Sequence, residues 1–135
     1  MGGRYLKGWS KTMDTIALNS GEAELGGLIR ACTEGLGVQS VLKDFGFQAD
    51  VKLFTDATAA IGMTRRLGLG KVRHLATADL WIQAMVRQGK VAVAKVPGQE
   101  NGADLMTKHK GRPEIIKHLQ GLGFGFLSGR PGAAP

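Results

Sequence analysis

From Asn19 onward the apolar pattern switches repeatedly between a helical period of about 3.6 and a strand period of about 2, which restricts the chain to a layered mixture of helices and strands. Asn19-Ser20-Gly21-Glu22 is a helix start: Asn19 can cap, and Glu22, three residues on, can reach back. Leu25, Leu28, Ile29, Cys32 and Leu36 follow as an amphipathic stripe, which Val41, Leu42 and Phe45 extend until Gly46 stops it. Gly35 and Gly37 weaken its middle. Val51 to Thr55, VKLFT, is a strand rich in β-formers, and Lys90 to Val96, KVAVAKV, alternates as another. Between them come a short helix through Ala60, Ile61 and Met63, a basic glycine-containing loop from Arg65 to Arg73, and a helix from His74 to Gln88. That helix has Leu75, Ala78, Ile82, Met85 and Val86 as its buried stripe and Gly89 as its end. Pro97-Gly98 is a turn, Ala103 to Lys108 a short helix, and Pro113 suits the first turn of a last one. Upstream, Tyr5 to Trp9 and Thr12 to Leu18 read as two short strands. The sum is an α/β fold, a mixed sheet flanked by helices.

A chain of 135 residues, 43% apolar, suits one globular domain with a modest core. The net charge of +7 and pI near 9.9 fit an acidic partner, or simply a basic solvated surface. The single cysteine, Cys32, excludes an internal disulfide or a cysteine zinc site; on an apolar helix face it reads as packing. No apolar run approaches the roughly 18 residues of a membrane span, and MGGRYLKGWSK has no apolar signal core, so the expected location is cytoplasmic or nuclear. Residues 124–135 are Gly/Pro-rich and read as a flexible tail behind a domain of residues 1–123.

Three acids stand at element ends. Asp56 ends the strand VKLFT, where α/β sheets gather ligands, although such a residue is often only a cap for the next helix. Glu24 lies one turn into its helix, where the dipole favours it, and Glu22 is the better candidate for the cap. Asp104 starts a short helix after the last strand and could equally be a cap or dipole partner. Clustered carboxylates repel one another unless cations sit between them. Mg²⁺ prefers such hard oxygen ligands and shares them with phosphate oxygens.

At this point four motif blocks become specific. Trp9-Ser10-Lys11-Thr12-Met13-Asp14-Thr15-Ile16-Ala17-Leu18-Asn19-Ser20-Gly21-Glu22-Ala23-Glu24-Leu25 resembles the W-S-x-K-Q-x-x-V-A-L-S-S-x-E-A-E-Y signature of the ribonuclease H domain in the Pol polyproteins of copia-type LTR retrotransposons. Phe54-Thr55-Asp56-Ala57-Thr58-Ala59-Ala60-Ile61 is similar to that family's Y-x-D-N-x-x-A-I, and Arg73-His74-Leu75 to its K-H-I. Val96-Pro97, followed by Ala103-Asp104-Leu105-Met106-Thr107-Lys108, resembles its V-P and A-D-x-x-T-K. The resemblance implies a ribonuclease H-like fold with a mixed five-stranded sheet. It also implies endonuclease hydrolysis of the RNA strand of an RNA–DNA hybrid with two Mg²⁺ or Mn²⁺ ions, beside a reverse transcriptase and the rest of a Pol polyprotein. It assigns Glu24, Asp56 and Asp104 as metal ligands and leaves Glu22 as a cap.

The departures shape the expectation. The family's first catalytic Asp belongs to a G-x-x-D-A-D-W-A-type strand upstream of the W-S block, and no residue before Trp9 is acidic. Asp14 lies inside the next strand pattern. Ala76 replaces an Asp, and the loop Gly98-Gln99-Glu100-Asn101 lacks the histidine that cellular relatives carry there. The expectation is an N-terminally truncated ribonuclease H-like domain, inactive or nearly so in isolation. The alternatives are a nucleic-acid-binding remnant without catalysis, or a basic structural domain whose acids are caps. Two basic clusters, Arg65, Arg66, Lys71, Arg73 and His74, then Lys108, His109, Lys110 and Arg112, are candidates for sequence-independent phosphate contacts.

Overall fold

The computed structural model describes residues 5–13, 16–68 and 77–126, and divides into two compact units, Thr12–Gly98 and Met1–Lys11 with Gln99–Pro135. The first unit runs α1 (Ser20–Asp44), β1 (Val51–Thr55), α2 (Thr58–Arg65), α3 (Thr77–Arg87), β2 (Val91–Lys95). β1 and β2 pair in parallel, Val51 opposite Val91 through Thr55 opposite Lys95. Parallel neighbours need a crossover, which α2 and α3 supply. Pleating turns Leu53, Thr55, Val91 and Val93 inward and leaves Lys52, Phe54 and Ala92 exposed. The inward set joins Leu25, Leu28 and Cys32 of α1, Ala60 and Ile61 of α2 and Ile82 of α3 in one core, with Trp81, Met85 and Val86 packed at its margin.

The start of α1 forms as its sequence suggests. The Asn19 side-chain oxygen accepts from the Glu22 N–H at 3.0 Å, while the Glu22 carboxylate accepts from the Leu18 N–H at 2.9 Å and the Asn19 side-chain amide at 3.1 Å. Its end is a Schellman turn: Gly46, at φ +83°, donates to Lys43, and Phe47 donates to Leu42. α3 closes the same way at Gly89, whose φ is +70°. Gly35 does more than weaken α1. A Cβ placed there would lie 2.8 Å from Val51 Cγ1, so the missing side chain lets α1 close on β1.

Several expectations are corrected. Among the described residues the sheet has two strands, not the five implied by the resemblance. Tyr5 to Trp9 form no strand; the Tyr5 ring instead meets Phe124 at 5.2 Å between centroids. Nor do Thr12, Met13 or Ile16 to Leu18, where Glu22 takes the Leu18 N–H that a strand partner would use; Asp14 and Thr15 lie outside the described residues. A strand pattern needs a partner ladder, and these segments have none. Val41 and Phe45 are exposed rather than buried, because α1 runs on past the sheet it covers. Ala78 is exposed, and His74 and Leu75 lie outside the described residues. Arg65 belongs to α2 rather than to a loop.

A 3₁₀ turn, Gly98–Glu100, begins at the last residue of the first unit, and the second unit holds another, Gly102–Met106, and α4 (Arg112–Gly121), with Pro113 in its first turn as expected. The segment read as a helix from Ala103 to Lys108 is therefore a 3₁₀ turn, capped by the Asn101 side chain on the Ala103 N–H at 3.2 Å. No helix among the described residues is long and apolar enough to cross a membrane.

Candidate functional site

Asp56 follows the last residue of β1, at the carboxyl end of a parallel pair. The residue that caps α2 is Ala57, with no side-chain cap, and its N–H is taken by Thr55 Oγ1 at 3.2 Å. Capping therefore does not account for Asp56. The half-buried carboxylate makes no hydrogen bond or ion pair with a described residue. A Cβ on Gly98 would lie 3.3 Å from its Oδ2, so a glycine after β2 leaves the carboxylate room. Glu24 is exposed on the first turns of α1 and likewise has no partner among the described residues, since Glu22 does the capping.

Asp104, in the second unit, differs. It is buried, Lys108 Nζ stands 2.9 Å from its Oδ1, and Lys110 Nζ 3.6 Å from its Oδ2. Burial pushes the carboxyl upward, but the hydrogen bond and charge of Lys108, with Lys110 behind it, hold it below the usual carboxylate range. Asn101 does the capping there, so the acid's local partners are lysines and not backbone amides. Among the described residues no group of three or more His, Cys, Asp or Glu is placed to hold a metal ion. Asp104 would have to give up two ammonium partners to join a metal site.

Of the first basic cluster, Arg65 Nη2 donates to the Val93 carbonyl at 3.0 Å, while Arg66 Nε and Nη2 are buried with no hydrogen-bond partner among the described residues. Lys71, Arg73 and His74 lie outside the described residues, as does Ala76. Of the second, Lys108 and Lys110 are committed to Asp104, while His109 and Arg112 are exposed. Sequence reading missed Gln83 and Arg87, which share a cavity wall with Arg65 and Arg66. Their spacing on one face of α3 was the available signal.

Comparison with known proteins supplies a context. The chain is similar to a retrotransposon Pol polyprotein. It is 26% identical over 117 residues, 84% of this chain, to the retrovirus-related Pol polyprotein from transposon TNT 1-94 of Nicotiana tabacum, and spans 9% of that protein's length. No protein-family model matches, and no solved structure matches.

Proposed function

We propose that the chain is a ribonuclease H-type fragment of a retrotransposon Pol polyprotein that grips nucleic acid through its phosphates and, alone, does not cleave it. The observation that carries this is Asp56: a carboxylate at the carboxyl end of parallel β1, relieved of capping by Ala57 and left without a partner among the described residues. The similarity to Pol covers 84% of the chain, and the motif blocks that resemble the ribonuclease H signature contain Glu24, Asp56 and Asp104. The third acid is assigned by its motif, and its lysine partners favour a structural role for it. Two Mg²⁺ or Mn²⁺ ions would supply water activation and leaving-group stabilisation in an intact enzyme. Glu24, Asp56 and Asp104 are the residues that would hold them.

Binding and cleavage of a labelled RNA–DNA hybrid test the proposal. Affinity falls steeply as salt rises, because cations displaced from phosphates return at high salt. Mg²⁺ or Mn²⁺ yields no cleavage and no rise in the unfolding temperature, whereas a bound ion would raise it. Robust cleavage abolished by Asp56→Asn would refute the inactivity. Affinity indifferent to salt would refute phosphate contact.

A further inference from the structure

Behind the end of α2 lies a cavity of about 160 Å³ lined by Thr64, Arg65, Arg66, Leu67, Gln83, Val86 and Arg87. Among the described lining residues three are arginines and none is acidic. The wall is held from behind. Gln83, buried on α3, accepts from the Gly68 N–H at 3.0 Å and donates to the carbonyls of Met63 at 3.0 Å and Gly68 at 2.9 Å. Thr64, also buried, is tied through its hydroxyl to the Ile61 carbonyl at 2.8 Å. The Arg66 N–H donates to Gly62 as α2 ends. The Arg66 backbone is thus fixed, yet its side-chain Nε and Nη2 are withdrawn from water with nothing to donate to among the described residues.

A buried donor without an acceptor is costly, and more so when it carries charge. Cations near a helix C-terminus are ordinarily explained by the dipole, and Arg65, bonded to Val93, needs no further account. The dipole does not explain two buried, unmet N–H groups. Water could fill a cavity of this size, but it brings no negative charge to the buried Arg66 fork. Nε and an Nη of one guanidinium form the fork that matches two oxygens of a planar or tetrahedral oxyanion.

We propose that this cavity is a pocket for one phosphate group, taken by the Arg66 fork and flanked by Arg87 and Arg65. The pocket needs only the phosphate. Its use on a nucleic-acid backbone rests on the function proposed above, and the two fail separately.

The test is thermal unfolding of the full chain with inorganic phosphate against sodium chloride of equal ionic strength. Phosphate raises the wild-type midpoint by a few degrees beyond chloride, Arg66→Gln loses that response, and Arg87→Gln reduces it. In chloride, R66Q is no less stable than the wild type, because it removes an unmet buried charge. A purely structural arginine would instead leave the variant weakened. No phosphate response in the wild type, or an undiminished one in R66Q, overturns the pocket. Should R66Q fail to fold, an undiminished response in R87Q overturns it equally. A short oligonucleotide with and without a 5′-phosphate then identifies the source. Binding that needs the terminal phosphate marks a monoester pocket. Binding of both forms, weakened in R66Q, marks a backbone contact. Phosphate stabilisation without any hybrid binding keeps the pocket and sinks the nucleic-acid function.

Discussion

Gly35 and Gly37 are neighbours on α1 with opposite consequences. At Gly37 a Cβ meets nothing within 4 Å, so Gly37→Ala removes only the entropic cost of glycine and stabilises by about 0.5–1 kcal/mol. At Gly35 the same change drives a methyl into the stiff, branched Val51 side chain, 2.8 Å away. The helix or the strand must shift, so Gly35→Ala destabilises by about 1–3 kcal/mol despite its better propensity. Urea unfolding of the two variants separates the cases; equal gains would show that α1 and β1 are not in close contact. Cys32 gives a pH-dependent companion. Burial pushes its thiol above 9.0, so the folded state resists losing a proton that the unfolded chain releases. Its contribution is intact below the unfolded value and declines as pH rises through the folded one. Cys32→Ala lowers stability at neutral pH and flattens this alkaline decline; parallel pH curves for the two proteins would sink the argument.

At the scale of elements, what the sequence disclosed follows from how local each cause is. The α1 cap, its glycine stop, the strand VKLFT and the Ile82, Met85 and Val86 part of the α3 stripe depend on neighbours a few residues away, and they form as read. Tyr5 to Trp9 and Ile16 to Leu18 carry strand-like patterns too, but a strand exists only through another chain segment's hydrogen bonds, which no periodicity records. The two-stranded sheet makes a sharp test of facing. Leu53 is buried and Phe54, beneath the Lys52 ammonium at 5.2 Å, is 55% exposed. Leu53→Ala therefore costs about 2–5 kcal/mol, and Phe54→Thr less than about 1 kcal/mol. Comparable losses in chemical denaturation would mean that the outer face is covered. The same reasoning applies to the site. That Asp56 ends a strand was legible from the run before it, whereas its freedom from capping depends on the backbone turn at Ala57, and the lysine embrace of Asp104 on side-chain reach.

For the molecule as a whole, a net charge of +7 draws it toward polyanions, but the charge available for binding is smaller than the count suggests. Lys108 and Lys110 were read as phosphate contacts, and both stand against Asp104. Their ammonium groups are partly neutralised before any nucleic acid arrives. Removing the acid should therefore strengthen binding. Asp104→Asn keeps the shape, releases both lysines from that carboxylate and raises the net charge by one. Affinity for an RNA–DNA hybrid at low salt then rises, and the slope of log affinity against log salt steepens by up to about 0.9 for each phosphate newly contacted. Lys108→Gln with Lys110→Gln, in the presence of Asp104, changes that slope much less. If Asp104 instead acted mainly as a metal ligand, Asp104→Asn would abolish any Mg²⁺-dependent stabilisation and leave metal-free binding as it was. Anisotropy titrations across a salt series, with and without Mg²⁺, separate the two: a steeper slope without metal supports the ion-pair role, and an unchanged slope with a lost metal response overturns it.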